Sequence, residues 1–203
     1  MTDSQGFTIE SQLIDWLLEG DVAIQYQVQR DIFGIDRSDL RERIATEGWG
    51  ARFLSHRKKE GHWGQRFYQP KWISTHYTLL DLKNLAISQN NLEIKQSITQ
   101  VIRTLKSPDG GILPIGTEQK SDVCVNGMFL NYAAYFGSEQ DDLKSIIDFL
   151  LTEHMKDGGF NCESNRRGTM HSSMHTTISV LEGILEYTKN GYRYRLKELQ
   201  VVF

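Results

Sequence analysis

Only two of the 203 residues are cysteines, Cys124 and Cys162, which excludes a disulfide framework and predicts reduced thiols. No run of about 18 apolar residues occurs, so a membrane span is excluded. Charge of one sign is also scarce. The net charge is −3 and the charged residues are spread along the chain, which removes the electrostatic case for a nucleic-acid groove or an anionic membrane surface. Met1–Gly6 carries neither a basic region nor an apolar signal core, and a cytoplasmic location is the expectation. Prolines number three, and no strand pattern matches the helical ones in length.

Present instead is a recurring turn. Glu60-Gly61-His62-Trp63, Asp109-Gly110-Gly111-Ile112 and Asp157-Gly158-Gly159-Phe160 share an order: acid, glycine, small or polar residue, large apolar residue. The glycines are 49 and 48 residues apart, and each motif lies between two amphipathic stretches. A fixed period of this size predicts helix-pair repeats.

The apolar spacing is helical throughout. Thr8 and Asp21 are candidate caps, for a stripe of Ile9, Leu13, Trp16 and Leu17 and for a helix that Gly34 closes. Further helices are expected from Ser38 or Asp39 to Ile44 and around Trp49–Leu54. The repeats then predict helices over Thr75–Ser88, from Asn91, over Asp122–Phe136, from Ser138 and over Ser173–Asn190. One domain over 1–203 is expected, divided into N-terminal helices (1–58) and helix pairs at 59–106, 107–155 and 156–203. Paired helices at this period predict an all-α fold, an α/α solenoid or toroid.

Several stretches resemble the terpenoid cyclase and protein prenyltransferase superfamily, in particular its bacterial squalene-cyclase-like and prenyltransferase-like members. They include Trp16-Leu17-Leu18-Glu19-Gly20-Asp21, Glu47-Gly48-Trp49-Gly50, Pro70–Leu80, Asp122–Met128 and His171–Gly183. The resemblance covers nearly the whole chain. It implies the α/α toroid, for whose full ring the pairs are too few, so that a half ring, a truncated protein or a homodimer that closes the ring is expected. It also implies a central cavity for an apolar or isoprenoid-like small molecule, and leaves open whether the chain is an enzyme. The acidic motif of the cyclases is missing, since Asp141-Asp142 stands in a helix-start context.

Overlaying the segments puts His76, Cys124 and His175 at one position, with Asp122 two residues before Cys124. Prenyltransferases bind zinc through an Asp-x-Cys pair and a histidine from the next inner helix. The resemblance therefore implies a zinc site of Asp122, Cys124 and His175, with His76 and His171 as alternates. The competing reading makes Asp122 a helix cap and Cys124 a core residue, because residues two apart on a helix do not face each other. Asp122 can share an ion with Cys124 only from just outside the helix. Cys162 reads as structural. Trp72, His76, Tyr77 and Tyr132 are the candidate cavity residues, with Arg166 and Arg167 as a diphosphate clamp or a solvated rim. A non-catalytic helical-repeat binding or scaffold protein is the alternative function.

Overall fold

The computed structural model describes residues 11–115 and 120–202. The cap expected at Thr8 and the stripe residue Ile9 lie outside them. Among the described residues the fold is all-α, without strands. The helices are α1 (Ser11–Leu18), α2 (Val22–Gln27), α3 (Ser38–Arg43), α4 (Gly48–Ser55), α5 (Thr75–Asn84), α6 (Leu92–Leu105), α7 (Val123–Tyr135), α8 (Gln140–Thr152), α9 (Ser164–Arg167), α10 (Met174–Lys189) and α11 (Leu196–Gln200). No helix among them is long and apolar enough to cross a membrane.

The chain forms two compact units, one made of the residues up to Arg57 with Asn84–Ser88 and the other of Lys58–Lys83 with Gln89–Phe203. In the first, Asp21 does two jobs. One carboxylate oxygen accepts the Ala23 N–H at 2.9 Å and caps α2, and the other accepts the Trp49 N–H at 2.8 Å. After Gln27 the helix widens into a π turn over Val28–Ile32, and Gly34 ends it at φ +71°. Val22, Ala23, Tyr26, Leu40, Ile44, Ala86 and Ile87 are buried. α5 stops at Asn84, short of the expected Ser88, because Ala86 adopts a left-handed φ of +61°.

In the second unit α7 is the central helix. Apolar on all sides, it buries Val123, Val125, Phe129, Leu130, Tyr132, Ala133 and Ala134. α6 shows a one-sided pattern, with Ile94, Ile98, Val101 and Ile102 buried and Gln96, Gln100 and Arg103 exposed. Asn91 caps it, accepting the Ile94 N–H at 3.1 Å. α7 packs on α10 at very short range. A Cβ on Gly127 would lie 2.7 Å from the Ser179 carbonyl, and one on Gly183 would run into the Gly127 carbonyl. Only glycine allows the two backbones to approach this closely.

The three glycine motifs fold into the same corner. Gly61, Gly110 and Gly158 have φ of +86°, +96° and +90°. Their N–H groups donate to the carbonyls of Lys58, Ser107 and Met155 at 2.9–3.0 Å. The next large apolar residue is then clasped by a helix side chain. Thr75 Oγ1 accepts the Trp63 N–H and donates to its carbonyl, at 3.0 and 3.1 Å. Asn126 does the same for Ile112 at 2.7 and 3.0 Å, and Thr177 for Phe160 at 3.0 and 3.3 Å. The acid of the motif ties the loop in the second and third corners, where Asp109 and Asp157 accept the N–H of Ser121 and Ser172 at 2.7 and 2.8 Å. These clasps set where α7 and α10 begin.

Candidate metal centre

Asp122 occupies the N-cap position of α7, with extended backbone (φ −92°, ψ 121°). Its carboxylate makes no capping bond to the helix. It turns instead toward the first turn, where Oδ1 accepts the Cys124 S–H at 3.2 Å. This is the geometry in which residues two apart share a partner. Cys162, in the loop before α9, supplies the third donor. A carboxylate oxygen of Asp122 and the sulfurs of Cys124 and Cys162 all lie within 4.8 Å of one another, and all three residues are half-buried.

The loop bearing Cys162 is fastened over the start of α7. Arg166 lies 3.4 Å from Asp122 Oδ2 and donates to the Lys120 carbonyl at 3.1 Å. Asn165 donates to the Ser121 carbonyl at 3.1 Å, and the Cys162 N–H donates to Thr176 Oγ1 at 3.3 Å. Burial, then the charge and hydrogen bond of Asp122, then Cys162, push the Cys124 thiol well above its ordinary pKa. As the chain stands, the sulfur is held as a thiol. A cation among the three donors reverses that preference, since coordination favours thiolate.

An aromatic cluster reaches the group through Tyr68, which feels the Cys124 and Asp122 charges. Tyr68 and Tyr77 share a hydroxyl–hydroxyl bond of 2.8 Å, and Trp72 packs on Tyr77 with ring centroids 4.8 Å apart. Burial first, then the bond to Tyr77 and the neighbouring Cys124 and Asp122, raise the Tyr68 pKa. Trp72 is 68 % exposed and holds φ +78°, a left-handed backbone that a bulky residue adopts only under strain.

No protein-family model, curated protein or solved structure matches this chain. The reading of the site therefore rests on its geometry.

Of the residues proposed from sequence as ligands, Asp122 and Cys124 come together and His175 does not join them. The clasps explain why. Cys124 and His175 each stand two residues before a clasp, Asn126 or Thr177, so they hold equivalent places in successive segments rather than places in one group. His175 is exposed in the first turn of α10, and His171 is exposed in the preceding loop. His76 is, like Cys124 and His175, the second residue of its helix, but it follows its clasp, Thr75, by one residue instead of preceding it by two. The clasp lies 12 residues beyond Trp63 but 14 beyond Ile112 and 17 beyond Phe160, and it falls on the first residue of α5 but on the fourth of α7 and of α10.

His76 is fully buried, and its Nδ1 lies 3.2 Å from the hydroxyl of the equally buried Tyr132. Burial lowers its pKa from 6.5 to about 3. Arg166 reaches Asp122, whereas the exposed Arg167 pairs with Glu163 at 3.0 Å. Cys162 is the residue that sequence reasoning set aside. The signal for it was scarcity: the chain's only other thiol stands four residues after Gly158, in the corner next to α10.

Proposed function

We propose that Asp122, Cys124 and Cys162 hold a zinc ion, and that the chain is a prenyltransferase-like protein accepting a small apolar or isoprenoid-like molecule beside it. The observation that carries this is the convergence of one carboxylate and two sulfurs, from a helix start and a separate loop, within 4.8 Å. Two sulfurs and a carboxylate suit zinc, and three protein donors leave a fourth position open. Bound there, zinc would favour thiolate in an acceptor sulfur. The chain's own residues do the rest. Asp122 and Cys124 are preset by the α7 start, Arg166 draws the Cys162 loop onto Asp122, and Tyr68, Tyr77 and Trp72 offer a wall for an apolar group. The α/α toroid belongs to the same proposal, supported by the recurring corner, and its closure by a second copy and a cytoplasmic setting are proposed with it.

One observation favours a non-catalytic helical-repeat binding or scaffold protein. Cys124 and Arg166 already satisfy both oxygens of Asp122 without an ion. Metal analysis of the purified chain separates the readings. The proposal expects about one zinc per chain, lost in Cys124→Ser and Cys162→Ser and kept in His175→Ala. Zinc lost in His175→Ala but kept in Cys162→Ser restores the histidine site. Absence of zinc, with no change in stability on adding chelator, refutes the centre. Titration with a labelled prenyl diphosphate tests the ligand class, and absence of saturable binding leaves the scaffold.

A further inference from the structure

Whether or not an ion binds, the two sulfurs have a second chemistry open to them. We propose that Cys124 and Cys162 form a modification site, a dithiol that a small hydroperoxide converts into an intramolecular disulfide. The sulfurs lie within 4.8 Å of each other, and neither cysteine is fully buried. A disulfide holds its sulfurs about 2 Å apart, so closure asks for a shift of less than about 3 Å. The side that moves is defined. Cys124 is fixed in the first turn of α7, and Cys162 sits in a loop whose hold on α7 is made of hydrogen bonds and the Arg166–Asp122 ion pair. Those tethers keep the loop over α7, which raises the effective concentration of one thiol at the other. Asp122 Oδ1 accepts the Cys124 S–H, which keeps the Cys124 sulfur turned toward the group that Cys162 joins.

The reaction balances without another component. One sulfur attacks a peroxide oxygen. The S–O bond forms as the O–O bond breaks, and the departing hydroxide leaves as water with that thiol's proton, giving a sulfenic acid. The second sulfur then attacks the first. The S–S bond forms as the S–O bond breaks, and hydroxide leaves as a second water with the second thiol's proton. Two thiols are oxidised by two electrons, and one hydrogen peroxide is reduced to two waters.

The test uses the full chain, freed of metal with chelator and treated with one equivalent of hydrogen peroxide. The expected product is a monomer lighter by about 2 Da, with no titratable thiol, a Cys124–Cys162 cross-linked peptide, and both thiols restored by dithiothreitol. Cys124→Ser and Cys162→Ser should instead gain oxygen on the remaining sulfur. Wild-type protein that keeps both thiols, accumulates only oxygen adducts, or cross-links between chains would overturn the proposal. Zinc added before the peroxide tests the metal reading separately. Zinc that does not slow thiol loss counts against the metal centre, while the dithiol assignment stands on the metal-free result.

Discussion

Lowering the pH from 7 to 5 is expected to destabilise the second unit through His76. The imidazole is fully buried, its Nε2 finds no hydrogen-bond partner among the described residues, and the rings of Phe67, Tyr68, Tyr77 and Tyr132 surround it at 5.1–5.7 Å. Burial is the sole cause of its lowered pKa, 6.5 falling to about 3. The direction follows from linkage. Below 6.5 the unfolded chain takes up a proton that the folded chain refuses until near 3, so the stability present above 6.5 drains away as pH falls. The slope approaches about 1.4 kcal/mol per pH unit, and between pH 7 and 5 the loss comes to about 2 kcal/mol. Carboxylates held low by their partners, such as Asp39 and Asp109, act in the same direction but at more acid pH, and Asp81, raised by burial, opposes the loss. Urea unfolding from pH 7 to 5 therefore isolates His76, with a midpoint shift near about 1 M. His76→Gln keeps a polar partner for Tyr132 and cannot titrate, so its stability should be nearly flat over this range. An equal fall in the variant and the wild type would refute the assignment.

Two further perturbations address the packing. Gly127→Ala or Gly183→Ala should each cost about 1–3 kcal/mol, because the added methyl meets backbone of the facing helix, and an unchanged melting temperature would disprove the close approach. Asn126→Leu keeps the volume but strips partners from the buried N–H and carbonyl of Ile112; calorimetry should show a loss of about 2–4 kcal/mol, more than Thr177→Val at the less buried third clasp.

The helical character was legible because it is written locally. Asp21 and Asn91 cap as their side chains predict, and the α6 stripe is apolar at the buried positions. The acid–glycine motif was legible as a recurrence because its positive φ demands glycine. Its partners were not, since Thr75, Asn126 and Thr177 are chemically mixed and lie at unequal distances from their corners. That inequality is why His76, which matches Cys124 by helix start, does not match it by clasp. The site was half legible. Asp122 and Cys124 are two residues apart in sequence and needed only the helix to start after Asp122. Cys162 arrives by a loop whose course depends on Arg166 and Asn165 reaching back to the start of α7, which no periodicity encodes. α9, a single turn in that loop, has no apolar stripe to announce it.

The clasps bear on the order in which the chain acquires structure. Each joins groups 12, 14 or 17 residues apart. Closing the longest of these loops costs only about 0.3 kcal/mol more chain entropy than closing the shortest. Each corner is also completed by a residue of its own segment. No corner thus has an entropic head start, and none waits for a distant part of the chain. Structure can begin at any of the three and spread to its neighbour, so the route is decided by which helix pair buries its apolar face first.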